Sequence, residues 1–482
     1  MPTPVNSTYT TKVIPLLSIY DSRDASGNYD SLAFNLLPEI YKTADGTEIQ
    51  MVKRHGTEEV IASISVDSPR GLFYWEGQSK LFVSIDTDIY IYDSTTYTLI
   101  TTLLAAFATG TSDVGFCEYL YEDGTSCVMC SDGTTLNKIT TANAISASST
   151  VAATVGTHLP KPIYYDGYLI LAKSNTGDCY NSDPNDPMTW TAGNFITGEI
   201  NPDTIVDISK INNYFVLFGQ SSIEYFYDAG NPTGTPFARN DVFVKHAGLL
   251  AESLAQHGNQ IYIAGFKVGS LPEVYVLEDF KLTPISTPPI RRWITSIGYT
   301  VNGYLISING HDLYVLQGGG SCFYYDITSQ LWGRLGWQDS TSDFPITKVT
   351  IITGQLGEES VFAIPDCSAI HRFTPHLYQD TGIDYTCILR TDPENYGTNN
   401  NKFMSSLVVW ADRSPSVGSI GVQTTDDDYA TYSTIRYINL DHERPNAQQW
   451  GRFRTRALKL TYTSNDPLRL RRIEADINIG IT

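Results

Sequence analysis

Short apolar segments recur along the chain, and each follows a residue that favours a tight turn. The turn residues are separated by 43 to 47 residues, except that the last interval is 54 residues. A repeat of about 40 to 50 residues with several strands per unit is typical of a propeller blade. A single blade cannot bury both faces of its sheet, so blades pack side by side around an axis. The turn residues are Gly77, Gly124, Gly167, Asn213, Gly258, Gly303 and Gly357.

A second apolar strand, often aromatic, follows the first in most of these units. Ile89–Tyr92 and Val274–Leu277 are examples, and their period of two gives each strand one inward face. Helical periodicity is weak throughout, and Ala247–Gln256 is the nearest candidate for a helix. We therefore predict an all-β fold with a six- or seven-bladed β-propeller over residues 61–375. The long last interval leaves the number of blades open.

The regions on either side of the repeats have a different pattern. Residues 1–60 read as a loop-rich N-terminal lead-in segment, and residues 376–482 have apolar strands without the repeat period. Turns rich in Asn, Asp and Gly separate these last strands, which is typical of a compact β-sandwich. We therefore predict a C-terminal β-sandwich-like domain over residues 376–482.

The charge is strongly negative, with 52 acidic and 32 basic side chains and a formal net charge of −20. Proteins that grip a nucleic acid normally neutralise its phosphates with basic side chains. The acidity therefore argues against tight DNA binding, although an acidic wall would let DNA slide past. Solubility alone would also explain it. Residues 441–482 reverse the sign, with a net charge of +3.

Compartment signals point to synthesis in a cytoplasm. The sequence has no apolar run of the roughly 18 to 20 residues that span a bilayer, so we expect no membrane insertion. The first 20 residues lack the pattern of a signal peptide. The chain has seven cysteines, and an odd number in a large protein favours free, buried thiols over a disulfide framework.

No group of residues forms a convincing catalytic or metal-binding motif. Cys127 and Cys130 are the only Cys-x-x-Cys pair, and in a strand they would point to opposite faces. Asp426–Asp428 fit a solvated turn better than a calcium site. We predict no catalytic residue, no cofactor and no metal, and hence no enzyme. A glycan-degrading propeller stays an alternative, because it would need only two suitably placed carboxylates.

Three alternating arginines lie near the C-terminus. Arg452, Arg454 and Arg456 would share one face of a strand, beside Trp450. Arginine with an aromatic neighbour is common at protein interfaces, whereas a solvated outer face is the simpler interpretation. We keep both interpretations and treat these four residues as a candidate interface that could pair with an acidic neighbouring subunit.

Residues 198–248 carry the most specific pattern in the chain. Its centre is Phe218-Gly219-Gln220-Ser221-Ser222-Ile223-Glu224, preceded by an acidic and proline-containing segment and followed by a glycine turn. This stretch resembles the tail hub or nozzle proteins of short-tailed bacteriophages, also called packaged-DNA stabilisation proteins. The residues that carry the resemblance are Glu199, Pro202, Asp203, Phe218, Gly219, Ser222, Ile223, Glu224, Gly230, Pro236, Phe237 and Gly248.

The resemblance implies a structural part of a virion tail that is assembled in the bacterial host cytoplasm. Such a protein would form a ring, expected to be a hexamer, below the portal and its adaptor ring. It would extend the DNA channel, help to retain packaged DNA, and mount the tail needle, tailspike or fibre proteins. DNA would pass through without sequence-specific binding. A protein-interaction propeller of the host cell stays a further alternative.

Overall fold

The structure is a computed structural model that describes residues 10–480 except 17–31, 44–45, 106, 109, 111, 232, 246, 268, 340–342, 355–356 and 414–417. The described chain is nearly all β, as predicted. Its first strands are β1 (Thr10–Ile14), β2 (Leu32–Phe34), β3 (Leu36–Thr43), β4 (Gly46–Lys53) and β5 (Gly56–Ile61).

Four-stranded antiparallel blades follow in chain order, and each runs from an inner to an outer strand. Blade 1 consists of β6 (Gly71–Trp75), β7 (Lys80–Ile85), β8 (Asp88–Asp93) and β9 (Leu99–Leu104). Blade 2 consists of β10 (Gly115–Leu120), β11 (Ser126–Ser131), β12 (Leu136–Ile139) and β13 (Ile145–Ala147). A short helix α1 (Val151–Thr154) precedes blade 3, which consists of β14 (Ile163–Tyr165), β15 (Tyr168–Ala172), β16 (Asp178–Asn181) and β17 (Phe195–Thr197). Blade 4 consists of β18 (Ile205–Ile211), β19 (Tyr214–Gly219), β20 (Ser222–Asp228) and β21 (Phe237–Lys245).

The inner strand of blade 5 is split in two, and an N-terminal strand completes blade 7. Blade 5 consists of β22 (Ala247–Leu249), β23 (Ala255–His257), β24 (Gln260–Lys267), β25 (Glu273–Glu278) and β26 (Lys281–Pro284), and helix α2 (Pro288–Ser296) follows it. Blade 6 consists of β27 (Asn302–Ile308), β28 (His311–Gly318), β29 (Ser321–Asp326) and β30 (Trp332–Leu335). Blade 7 consists of β31 (Lys348–Gly354), β32 (Gly357–Ala363), β33 (Ile370–Thr374) and, as its outer strand, β5.

The described residues therefore form seven blades, and this count decides between the six and seven that the repeat allowed. Each pair of neighbouring blades shares an apolar cluster. The cluster between blades 7 and 1 contains Leu81, Val83, Val361 and Ile61, so the circle is closed. Because each blade has four antiparallel strands, every crossover to the next blade lies on the same face of the disc. We call this the crossover face.

The C-terminal domain is a sandwich of two sheets. Two short strands, β34 (Gln379–Asp380) and β35 (Ile383–Asp384), extend the blade 7 sheet beyond β5. The remaining strands of the C-terminal domain are β36 (Cys387–Arg390), β37 (Lys402–Ala411), β38 (Ser419–Thr425), β39 (Arg436–Asn439), β40 (Asn446–Phe453), β41 (Ala457–Tyr462) and β42 (Arg469–Ile479). One sheet has the order β3-β4-β42-β37-β40, with β1 also paired to β42. The other has the order β2-β36-β41-β38-β39 and continues through β30 into blade 6. An apolar core that includes Leu407, Leu460 and Ile473 belongs to this domain.

The structure corrects the expected boundary at residue 60. Strands β3 and β4 belong to a sheet of the C-terminal domain, whereas β5 pairs with β33 in blade 7. The described part of residues 1–60 is therefore not a separate lead-in, because β1, β2, β4 and β5 pair with strands more than 300 residues away. Residues 1–9 and 17–31 of that segment lie outside the described residues. The segment Ala247–Gln256 contains strand rather than helix.

Candidate functional site at the crossover face

The predicted motif lies where the chain crosses from blade 3 to blade 4. Asp203 lies two residues before inner strand β18, and its carboxylate accepts hydrogen bonds from the Ser221 backbone N–H at 2.6 Å and from the Ser222 hydroxyl at 3.1 Å. Ser221 lies in the turn between β19 and β20, so the hydrogen bonds of Asp203 hold the crossover against blade 4.

Glu224 fixes the other end of the same crossover. Its carboxylate is 3% exposed and accepts hydrogen bonds from the backbone N–H groups of Ile200 at 3.0 Å and Glu199 at 3.3 Å. Arg239 lies 3.7 Å from it. Burial raises the pKa of Glu224, while the two N–H donors and Arg239 oppose that rise. Because the carboxylate is almost completely buried and holds two backbone N–H groups of the crossover, its geometry favours a structural role.

The glycines of the motif allow close packing. A Cβ atom at Gly219 would lie 2.6 Å from Asp203 Oδ2, and one at Gly248 would lie 1.7 Å from the Gln220 carbonyl oxygen. Gly230 has a φ of 64° in the turn between β20 and β21. The motif glycines thus permit the contacts that Asp203 makes.

The other motif residues are mostly apolar positions of the blade interfaces. Phe218 and Ile223 belong to the cluster between blades 4 and 5, and Phe237 belongs to the cluster between blades 3 and 4. Pro236 is buried, whereas Pro202 and Glu199 are exposed. The structure brings the motif together as one structural unit that joins blades 3, 4 and 5.

A cavity of about 730 Å³ opens on the crossover face at the axis of the propeller. Its lining comes from blades 1, 2, 5, 6 and 7, which is why no local sequence pattern reveals it. We call its acidic rim the axial mouth, and define it by five carboxylates: Asp67, Asp86, Asp113, Glu252 and Asp366.

The two basic side chains that line this cavity, Lys348 and Arg70, already have partners within the chain. Lys348 Nζ pairs with Asp113 at 2.6 Å, which joins the inner strand of blade 7 to the entry of blade 2. Arg70 is buried and donates hydrogen bonds to the Ser112 carbonyl oxygen and hydroxyl and to the carbonyl oxygens of Asp86 and Ala108. The other four rim carboxylates have no basic partner among the described residues. The axial mouth is therefore a negatively charged, acceptor-rich surface.

The predicted interface residues are divided between the surface and the interior. Arg452 is exposed in β40, and Arg454 is exposed in the turn that follows. Arg456 is instead buried and forms two hydrogen bonds of 2.7 Å with the carboxylate of Asp426. Trp450 is 7% exposed and lies under Arg436. The prediction of one shared strand face is wrong, because a turn separates β40 from β41 at these residues.

A buried polar cluster that the sequence did not reveal joins the two domains. Arg54, between β4 and β5, is completely buried and pairs with buried Asp380 at 2.6 Å. It also donates to Asn35 Oδ1 at 3.0 Å and to the Gly336 carbonyl oxygen at 2.8 Å. Neighbouring Lys53 is buried above the ring of Tyr385, and burial lowers the Lys53 pKa. These contacts fix the angle between the propeller and the sandwich.

The cysteine pair lies in the core, as its spacing predicts. Cys127 belongs to the cluster between blades 2 and 3, and Cys130 to the cluster between blades 1 and 2, so the two thiols point to opposite faces of β11. Within the described residues, no three His, Cys, Asp or Glu side chains are grouped to hold a metal ion. No helix in that part of the chain is long and apolar enough to cross a membrane.

Residues 29–344 match a family model described as "Bacteriophage P22 Gp10, beta-propeller". The chain belongs to this family. The matched range contains the whole motif and blades 1 to 6, and it ends before Arg452 and Arg454. Within residues 29–344, which match the P22 Gp10 family model, the motif residues make contacts that hold blades 3, 4 and 5 together.

Other comparisons add little to the P22 Gp10 match. No curated protein matches the chain. Among solved structures, the Pan2 WD40 domain from Neurospora crassa is 9% identical and aligns with a TM-score of 0.43 over 68% of this chain and 97% of its own. A catalytically inactive virginiamycin B lyase from Staphylococcus aureus with quinupristin is 12% identical, with a TM-score of 0.43 over 66% of this chain and 98% of its own. The N-terminal domain of Nup159 is 10% identical, with a TM-score of 0.40 over 73% and 100%.

Proposed function

We propose that this chain is a ring-forming hub or nozzle of a short bacteriophage tail. In this role, six copies assemble below the portal–adaptor ring, extend its DNA channel, help to retain packaged DNA, and mount the needle, tailspike or fibre proteins. The observation that carries the proposal is membership of the P22 Gp10 family, whose matched range includes the residues of the crossover motif.

The geometry of the propeller supports a DNA path between copies rather than through one copy. Lys348 of blade 7 and Asp113 at the entry of blade 2 pair at 2.6 Å past the entry of blade 1, so side chains of nearby blades lie close together around the propeller axis. A channel would therefore lie on the symmetry axis of the ring. The net charge of −20 on each copy would repel DNA at short range, since screening limits such forces to about 8 Å at physiological salt.

The link between the two domains supports a load-bearing role. A continuous sheet runs from blade 6 into the sandwich, and Arg54 ties the two together at the same junction. A protein that holds other tail parts in place against pressurised DNA needs such a fixed angle. The proposed role needs no catalytic step by the chain itself.

Electron cryo-microscopy of the purified chain mixed with a portal–adaptor complex tests the proposal. We expect six copies in a ring beneath the adaptor, with an open channel on the common axis. A chain that stays monomeric and unbound in this mixture would refute the proposed function. Release of sugars from a host glycan by that monomer would favour the glycan-degrading alternative.

A further inference from the structure

The axial mouth presents hydrogen-bond acceptors and negative charge, with few donors left free. Asp67, Asp86, Glu252 and Asp366 have no basic partner among the described residues. The Gln317 side chain lines the cavity, and its Oε1 atom is buried without a hydrogen-bond donor. A surface of this kind binds a cationic group that donates several hydrogen bonds, and a guanidinium has five N–H donors.

A positively charged surface, opposite in sign to the axial mouth, lies on the C-terminal domain of the same chain. Arg452 and Arg454 are exposed, and neither has an acidic partner among the described residues. Arg452 is the register partner of Phe403, so their side chains leave the sheet on the same face, and Phe403 is 50% exposed. We call these three residues the arginine edge, because β40 is the last strand of its sheet.

The two surfaces also match in their apolar parts. Val66 lines the axial cavity and is 83% exposed. Phe403 could cover Val66 when the arginines enter the mouth. In one copy, no hydrogen bond or ion pair between described residues connects the axial mouth to the arginine edge. A contact between them therefore needs two copies.

We propose that the axial mouth of one copy binds the arginine edge of the next copy. This inference rests on the proposed ring, and it names the surfaces that hold neighbouring copies together. Because the two surfaces differ, the contact is head-to-tail and can repeat around a closed ring. The axial mouth would then be an assembly site.

Charge-reversed variants test this pairing. The mouth variant carries Asp67→Lys and Glu252→Lys, and the edge variant carries Arg452→Glu and Arg454→Glu. Each variant alone should associate with itself at least about tenfold more weakly than the natural chain, since each places like charges together. Sedimentation velocity and assembly on the portal–adaptor complex measure this loss. Mixed in equal amounts, the two variants should recover assembly as an alternating ring of even number.

The matched control reverses the same number of exposed charges on the opposite face of the propeller, with Glu76→Lys and Glu122→Lys. It should assemble like the natural chain. Normal assembly of the mouth variant would overturn this inference and leave the proposed function intact. Failure of the mouth variant together with normal assembly of the edge variant would overturn the assigned partner. A natural chain that stays monomeric both alone and with the adaptor would overturn both proposals.

Discussion

Arg54 and Asp380 form an ion pair in which neither side chain is exposed to solvent. Removing one member leaves the other charge buried without its partner, which typically costs about 3 to 5 kcal/mol. We therefore expect Asp380→Asn to lower the free energy of unfolding by about this amount, as measured by urea denaturation. The junction between the domains should be the first region to lose protection from hydrogen exchange.

The exposed pair of Arg471 with Asp412 provides the control, because both side chains are about half exposed. Surface ion pairs contribute about 0 to 1 kcal/mol, so Asp412→Asn should change stability little. Equal effects of the two substitutions would contradict a structural role for the buried pair.

Gly219 tests the close packing of the crossover motif. A methyl group there would lie 2.6 Å from Asp203 Oδ2, so Gly219→Ala should push the carboxylate away from Ser221. We expect a loss of about 1 to 3 kcal/mol, the usual cost of overpacking, in a thermal or urea unfolding measurement. Gly77→Ala is the matched control, because a Cβ atom at Gly77 has no neighbour within 4 Å. A Gly219→Ala protein as stable as the control would contradict the packing argument.

At the scale of strands, the repeat was predictable because hairpin turns have local causes. Gly124, Gly167 and Gly258 have φ values of 81°, 80° and 54°, which glycine adopts without strain. Gly303 is different: it lies inside β27, and a Cβ atom there would lie 2.1 Å from the Ser253 carbonyl oxygen. The turn of blade 6 is at Gly310, so the long interval lies between blades 5 and 6, where helix α2 is inserted.

The pairing of distant strands was not predictable from local pattern. The outer strand of blade 7 comes from Gly56–Ile61, and its partner β33 lies more than 300 residues further along the chain. An alternating apolar pattern shows that a segment can be a strand, but not which edge it joins. The same limit applies to the site. The contacts of Asp203 lie within 20 residues and could be sought in a motif, whereas residues from five blades line the axial cavity.

The closing strand β5 gives a prediction at this scale. Ile61 is 6% exposed in the cluster between blades 7 and 1, so Ile61→Ala should cost about 2 to 5 kcal/mol. Hydrogen exchange should show the loss first in β5 and β33, which pair with each other. Ile64→Ala is the control, since Ile64 is 54% exposed. If the backbone amides of β5 exchanged fast in the natural chain, this strand would not close the circle of seven blades.

For the whole molecule, two histidines link stability to pH. Burial between Trp337 and Phe362 lowers the pKa of His371 to about 4, and burial, with His376 nearby, lowers the pKa of His55 to about 4. An unfolded chain would bind these protons near pH 6.5. Protons therefore bind the unfolded state first as the pH falls, so this contribution to stability is complete above about pH 6.5 and is lost towards pH 4.

Replacing His371 by Phe isolates this effect. Both ring nitrogens of His371 are buried without a hydrogen-bond partner, so Phe should fill the site without leaving a polar group unsatisfied. We expect the unfolding free energy of His371→Phe to fall less steeply between pH 6.5 and 4 than that of the natural chain. His442→Gln serves as the control at an exposed position and should keep the natural slope. Parallel pH profiles for all three proteins would mean that His371 is not a source of acid sensitivity, and that carboxylates determine how the stability of the chain responds to acid.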